Sequence, residues 1–321
     1  MKSYIPTIDI SSLLQSDFNT LKAKNTIRKI EKACVDIGFF QVTGHGINIK
    51  KINNICKIGN KFFNSSNVNK SKLTPKKWNK KNKNIYRGYF PNTVNGKEGL
   101  DLGDLQIKPY NSKKYKSPYI EYLDLTKSFN EPSIKSLSNY YDDIFSLCEI
   151  LFKGIIKLYK KDIEISNQAF SRKKTLSTLR FNYYPNQTKP VEISKQDGVA
   201  LGCETHVDSG VFTILYQDKK GGLQVQNRKN KKWYDVPFNK KALIINTGLA
   251  LEYLSKGKFK ATNHRVLWNK STRLSVPFFF EPSFDFKMNK YFLNSKGNSK
   301  SGQIYEKFLN RSLMKFIEYQ R

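Results

Sequence analysis

Histidine is the scarcest chemistry-bearing residue in this 321-residue chain: His45, His206 and His264 are the whole supply. Any role for imidazole must be built from these positions. Cysteine is nearly as sparse. Cys34, Cys56, Cys148 and Cys203 lie far apart with no C-x-x-C pair, which argues against both a disulfide framework and a thiolate zinc site. Long apolar runs are lacking too. Residues 1–6, Met-Lys-Ser-Tyr-Ile-Pro, carry no apolar signal core, and no stretch approaches the roughly 20 residues of a membrane-spanning helix. The expectation is a cytoplasmic protein with reduced thiols and no membrane partner. Acidic residues are outnumbered, 26 Asp and Glu against 57 Lys and Arg, giving a net charge of +31. Such an excess invites nucleic acid, because Lys and Arg neutralise phosphates. However, the lysines are scattered through every expected loop, and stretches such as Lys76-Lys77-Trp78-Asn79-Lys80-Lys81-Asn82-Lys83 mix Lys with Asn as compositional bias does. A solvated basic surface is the preferred reading, with no specific nucleic-acid partner.

What the chain does contain is core material. Apolar residues make up 38% and aromatics 13%, distributed along the whole length, so a substantial core needs no covalent staple. The length exceeds a usual domain of about 100–200 residues but suits one β-barrel or sandwich enzyme with helical additions, so residues 1–321 are read as a single catalytic domain. Apolar spacing predicts a helix over 20–37 with Gly38 as its stop, a short strand at Phe39–Val42, and a second helix carrying Ile52, Ile55, Cys56, Gly59 and Phe63. Lys70 to Gly103 reads as polar, irregular loop. Leu137, Tyr141, Ile144, Cys148, Leu151, Ile155 and Leu158 alternate steps of four and three, the mark of a long buried helix. From about residue 176 the period shortens. Leu179–Tyr183, Phe212–Gln217, Leu223–Gln226, Trp233–Val236, Ala242–Asn246, His264–Trp268 and Arg273–Phe280 are β-like runs between Gly, Pro, Asn and Lys turns, which predicts a closed or double-sheet jelly roll. Ile304, Phe308, Phe316 and Ile317 suggest a terminal helix.

Within this frame His206 and Asp208 form a His-x-Asp unit. In extended backbone, residues two apart project from one face, so both side chains can reach one ion. His264 opens another β-like run, from which a neighbouring strand brings a third ligand to the same point. Two imidazoles and a carboxylate on one octahedral face leave three positions open, the arrangement suited to Fe(II) that must bind O2 beside another donor. Alone, a His-x-Asp triplet is a weak signal, and a loop histidine bonded to its neighbour is the commoner explanation. His45, in Thr43-Gly44-His45-Gly46, reads as part of a tight glycine-flanked turn. The balance shifts with Arg273 and Ser275, two residues apart ahead of the apolar run Val276-Pro277-Phe278-Phe279-Phe280. A guanidinium fork and a hydroxyl on one strand face can grip the distal carboxylate of a 2-oxo diacid whose other end chelates the metal.

Six segments then stand together: Ile37-Gly38-Phe39-Phe40-Gln41-Val42-Thr43-Gly44-His45-Gly46-Ile47, Leu179-Arg180-Phe181-Asn182-Tyr183-Tyr184-Pro185, His206-Val207-Asp208, Gly221-Gly222-Leu223-Gln224-Val225, Asn263-His264-Arg265-Val266 and Arg273-Leu274-Ser275-Val276-Pro277-Phe278-Phe279. In this order the sequence resembles the isopenicillin N synthase-like family of iron(II)- and 2-oxoglutarate-dependent dioxygenases, over about residues 5 to 285. The resemblance implies a mainly β fold with helical additions, a double-stranded β-helix (jelly roll) core over 176–285, an N-terminal dioxygenase region over 1–110 and a C-terminal helix. It implies His206, Asp208 and His264 as catalytic iron ligands, Arg273 and Ser275 on the distal carboxylate of 2-oxoglutarate, and Asn182 and Tyr184 lining the co-substrate pocket. Fe(II), 2-oxoglutarate and O2 are the implied cofactor and co-substrates. The implied reaction is oxidative decarboxylation to succinate and CO2, coupled to hydroxylation, desaturation or cyclisation of a small molecule. Thr43-Gly44 and Val207 depart from common family residues without touching a ligand.

Two alternatives stay open at this level. Family oxidases such as isopenicillin N synthase use no 2-oxoglutarate and also carry Arg-x-Ser, so that motif does not separate the branches; Asn182 and Tyr184 favour 2-oxoglutarate. A basic nucleic-acid-binding β domain without catalysis is the other. For substrate contact, the expected contributors are the loop over 70–110, with Arg87, Tyr89 and Phe90, and the C-terminal helix.

Overall fold

The computed structural model describes residues 4–15, 17–91, 96–106, 117, 119–159, 164–186, 190, 192–288, 302–316 and 319. Thr20 caps helix α1 (Leu21–Asp36) through the Ala23 amide, and the helix stops where Gly38 takes φ +79°. Strand β1 (Thr7–Asp9) pairs in parallel with β2 (Phe39–Thr43). Helix α2 (Ile49–Phe63) follows, capped by Asn48, then a short α3 (Asn67–Ser71). The long α4 (Glu131–Leu158) begins at an Asn130 cap, seven residues before Leu137, the first apolar position that predicted it, and α5 (Glu164–Ala169) is short.

The β region comprises β3 (Gly88–Phe90), β4 (Glu98–Leu102), β5 (Thr178–Tyr184), β6 (Glu192–Ile193), β7 (Ala200–His206), β8 (Phe212–Gln217), β9 (Leu223–Gln226), β10 (Trp233–Asp235), β11 (Leu243–Thr247), β12 (His264–Leu267) and β13 (Arg273–Phe280). Helix α6 (Leu249–Leu254) separates β11 from β12, and α7 (Tyr305–Leu313) follows the barrel. Among the described residues one sheet runs β1-β2-β11-β8-β13-β5-β4-β3 and a second runs β10-β9-β12-β7-β6. Apart from β1–β2 the pairings are antiparallel. The expected double-stranded β-helix is thus present.

Period-two patterning explains why the larger sheet buries both faces. Leu179, Phe181 and Tyr183 on β5, Phe212 and Ile214 on β8, and Leu274, Val276, Phe278 and Phe280 on β13 join the core shared with the helices. The opposite parity, including Leu215 and Ile244, packs with Leu223, Val225 and Val266 of the second sheet or opens onto a cavity between the sheets. Burying each fully enclosed Leu, Ile or Phe contributes on the order of 1.5–3 kcal/mol.

Two expectations need correction. Lys70–Gly103 is not uniformly loop: β3 and β4 extend the large sheet from β5, with Asp101 opposite Arg180. These strands are short, contain Gly88 and Gly99, and are specified by their neighbour more than by their own pattern. Strand β7 was missed for a similar reason, since Ala-Leu-Gly-Cys-Glu-Thr-His shows no clean alternation. Of the terminal-helix positions, Ile317 lies outside the described residues, and the helix ends at Leu313.

Candidate metal centre and adjoining cavity

Register in the small sheet brings the two distant histidines together. His206, last residue of β7, is the cross-strand partner of His264, first residue of β12. Asp208 follows two residues on, in the loop leading to β8. Its Oδ1 lies 3.7 Å from His206 Nε2 and 3.6 Å from His264 Nε2. One potential ligand atom from each of the three falls within 4.8 Å of the other two.

The remaining atoms of these side chains are engaged in ways that aim the ligand atoms inward. His206 Nδ1 sits 2.8 Å from the Glu204 carbonyl and His264 Nδ1 3.1 Å from the Thr262 carbonyl. A carbonyl only accepts, so each Nδ1 carries a hydrogen, and Nε2 is the ring nitrogen of each that faces Asp208 and can ligate. Asp208 Oδ2 accepts from Thr213 Oγ1 at 2.6 Å and from Asn246 Nδ2 at 2.8 Å, leaving Oδ1 for an ion. Burial alone would raise the Asp208 carboxyl; its coupling to the facing His264 and His206 and these hydrogen bonds outweigh it and hold the group below its ordinary value. Burial, reinforced by His206, pushes the His264 imidazole down to about 4, so it is neutral and ready to ligate. Two nitrogens and one oxygen on one face fit an octahedral Fe(II) with open positions.

Strand β13 lines the cavity with every second residue: Arg273, Ser275, Pro277 and Phe279, and then Glu281 just beyond its end. Ladder register places Arg273 opposite Tyr184 and Ser275 opposite Asn182. Arg273 is 2% exposed; its Nη1 donates to Ser275 Oγ at 3.1 Å, its Nε donates to the Gly221 carbonyl at 2.7 Å, and its guanidinium lies 4.8 Å over the Tyr184 ring. Asn182 Oδ1 is buried without a hydrogen-bond partner. The Gly221 carbonyl and the Tyr184 ring hold the guanidinium, and the second N–H of Nη1 together with Nη2 remains to receive an anion. The pair expected on a co-substrate carboxylate, Arg273 and Ser275, and the two residues expected to line its pocket, Asn182 and Tyr184, therefore share one wall.

Arg87, Tyr89 and Phe90 are placed differently from expectation: none lines the cavity. Arg87 spends its guanidinium on Thr178 Oγ1 and on the Leu176, Ser177 and Tyr119 carbonyls. Tyr89 donates to Glu98 at 2.5 Å inside the helix-facing core, and Phe90 packs edge-to-face against Trp78 and Tyr319. A polar loop motif gave no hint that these side chains turn inward as anchors. His45 is remote from the triad, with Gly44 and Gly46 both at positive φ around it, as the turn reading requires.

Several cavity residues escaped sequence reasoning. Thr213 and Asn246 are polar residues on the cavity parity of otherwise apolar strands, a signal that was available. Arg180 and Glu281 were missed as well, whereas Leu309, Leu313, Phe316 and Tyr319 line the cavity from the C-terminal segment, where a contribution was expected. Arg180 is engaged by Asp101 at 2.6 Å and by the Tyr319 hydroxyl at 2.9 Å. Burial, then the charge of Asp208, pushes the Glu281 carboxyl up to about 8.

Comparison with known proteins places this geometry in context. The family model described as the 2OG-Fe(II) oxygenase superfamily matches residues 175–282, and that described as non-haem dioxygenase in morphine synthesis N-terminal matches residues 5–133. A probable iron/ascorbate oxidoreductase of Dictyostelium discoideum is 31% identical over 310 residues, covering 88% of this chain and 82% of that protein. Isopenicillin N synthase of Streptomyces griseus is 28% identical over 303 residues, covering 87% and 84%. The crystal structure of full-length Neurospora crassa T7H in complex with alpha-KG shares the fold at a TM-score of 0.76 and 21% identity, over 96% of this chain and 95% of that one. With both matches falling in order along the sequence, and a relative above 30% identity spanning most of both proteins, the chain belongs to the 2OG-Fe(II) oxygenase superfamily.

Proposed function

We propose that this chain oxidises a small molecule in a reaction dependent on Fe(II), O2 and 2-oxoglutarate, with His206, Asp208 and His264 as the iron ligands. The observation that carries the reading is the meeting, in one cavity, of a neutral-nitrogen and carboxylate triad with the buried Arg273–Ser275 pair. Iron held here would activate O2, the oxidant, with one oxygen atom ending in succinate as 2-oxoglutarate loses CO2 and the other accounting for the two-electron oxidation of the substrate. The protein's contribution is positioning and exclusion. His206 and His264 offer Nε2, Asp208 offers Oδ1, and Arg273 with Ser275 grips the distal carboxylate in a bidentate and a single hydrogen bond. Asn182 turns its amide toward the co-substrate, where either end of the group can serve. Leu309, Leu313 and Phe316 cover the outer side and keep bulk water from the reacting centre. A cytoplasmic setting belongs to the same proposal, since the four cysteines are unbonded thiols. Among the described residues no helix is long and apolar enough to cross a membrane.

The test is a screen of amino acids, short peptides and neutral metabolites with iron-loaded protein, reading succinate release and product mass. Substrate-stimulated succinate formation is expected. Oxidation that proceeds without 2-oxoglutarate would assign the chain to the oxidase branch instead.

A further inference from the structure

Strand β13 works as a ruler across the cavity. Arg273 and Ser275 stand at one end, Pro277 and Phe279 form an apolar middle, and Glu281 stands at the other. At about 3.3 Å per residue, Ser275 and Glu281 are separated by roughly 20 Å of strand. Glu281 therefore lies beyond the span of a co-substrate anchored at Arg273.

Glu281 is 4% exposed, and its Oε2 is buried with no hydrogen-bond partner. Its Oε1 receives only a long 3.5 Å contact from Ser209 Oγ, beside the metal ligand Asp208. A buried carboxyl with an unmet oxygen in a ligand cavity is unfavourable until a ligand completes it, by an amount comparable to a lost hydrogen bond.

We propose that Glu281 is the specificity-determining residue for the primary substrate, and that this substrate is a small neutral molecule presenting an amide-type edge, an N–H beside a C=O, on an otherwise apolar body. This inference rests on the oxygenase reading of the same site. A carboxyl group that keeps its hydrogen offers one donor and one acceptor side by side, the complement of such an edge. Enclosed at 4% exposure, with an oxygen that no donor reaches, the carboxyl is favoured in that uncharged form by its burial. Among the described residues the cations lining the cavity are already engaged, Arg273 by the co-substrate in this reading, Arg180 by Asp101 and Lys97 by Cys203, so none is left to meet an anionic substrate. A cationic one would have to be desolvated inside a chain of net charge +31. Phe279, Leu313 and Phe316 supply the apolar surroundings for the body.

The experiment uses full-length protein loaded anaerobically with Fe(II) and 2-oxoglutarate, read by the visible charge-transfer band of the chelate. Uracil and pyrrolidinone are titrated as amide-edge probes, against toluene, benzoate and benzylamine. In the wild type the amide probes should perturb the band at concentrations about tenfold or more below the other three. Glu281→Leu should abolish that preference, Glu281→Asp should weaken it about tenfold by withdrawing the carboxyl, and Glu281→Gln should keep it, since an amide also pairs a donor with an acceptor. Appearance of the band reports that each variant is folded and loaded; if Glu281→Leu does not fold, Glu281→Asp decides. Equal or weaker binding of the amide probes by the wild type overturns the inference, as does tighter binding of benzoate or benzylamine, or a preference that survives Glu281→Leu. A wild type that forms no band at all refutes the oxygenase reading itself.

Discussion

His206 and His264 are direct partners across the β7–β12 ladder, with ring centroids 4.2 Å apart, although 57 residues separate them in the chain. The ladder breaks register immediately after this pair, between His264 and Val266. An irregularity there turns side chains out of the regular alternation. The metal centre is therefore set by sheet register, and a one-residue slip of β12 would swing His264 to the other face. Replacing either histidine with Ala should abolish retention of Fe(II) through desalting, measured by metal analysis of folded protein.

Asn246 and Thr213 orient Asp208 without reaching the ion. Their hydrogen bonds occupy Oδ2 and thereby present Oδ1. Asn246→Ala should weaken Fe(II) binding by about 10- to 100-fold, the usual range for removing an outer partner of a metal ligand. Thr213→Val should act in the same direction, whereas Thr213→Ser should restore binding because it keeps the hydroxyl. Isothermal titration with Mn(II) under argon reads these affinities; an Asn246→Ala protein that binds as the wild type does would show that the carboxylate needs no such brace.

Arg87 anchors the β3 segment to the entry of β5 and is predicted to matter for stability. Its buried guanidinium serves four acceptors, and its backbone amide donates to Glu121. Arg87→Ala should destabilise the protein by about 3 kcal/mol or more, because the carbonyls it serves are left unmet in the interior. Urea unfolding measures that loss. Unchanged stability together with altered substrate preference would return Arg87 to the cavity wall.

Asp197 makes the fold sensitive to acid. Its carboxylate takes a bidentate pair from Arg265, at 3.0 and 2.8 Å, and the Arg265 guanidinium carbon lies 4.0 Å over the centroid of the Trp233 ring. Hydrogen bonds from Arg265 and Ser194 hold the Asp197 carboxyl well below its ordinary range. The folded state thus favours the ionised form, so the stabilisation is present above the ordinary carboxylate value and fades as pH falls toward the depressed one. Urea midpoints of wild type and Asp197→Asn should differ most near neutrality and converge in strong acid. A difference constant with pH would remove the ionic contribution from the account.

The sequence disclosed those features that depend on local pattern. The period-3.6 stripe of α4 and the alternation on β8 and β13 were legible because burial selects one face of each element. Scarcity made the histidines conspicuous, and Arg273-x-Ser275 was readable because the same alternation puts both on one side. What stayed hidden depends on tertiary register. Strand β7 has no alternation of its own, yet it carries His206. Arg87 and Phe90 look like loop residues until β3 is seen paired with β4. Glu281 falls one residue past the strand whose parity it continues, where sequence reading had stopped counting. The spread of lysines pointed to no site, and gave no sign that Lys70 and Lys97 are buried.

The central claim is that the triad and the Arg273–Ser275 wall act together on Fe(II) and 2-oxoglutarate. Anaerobic titration of iron-loaded protein with 2-oxoglutarate tests it most directly, by following the visible charge-transfer band of the chelate. The wild type should develop the band saturably, and Arg273→Ala should need about 10- to 100-fold more 2-oxoglutarate to reach half of it, the cost of losing a charge-assisted fork. No band in well-folded wild-type protein, or an unchanged titration midpoint in Arg273→Ala, would contradict the account.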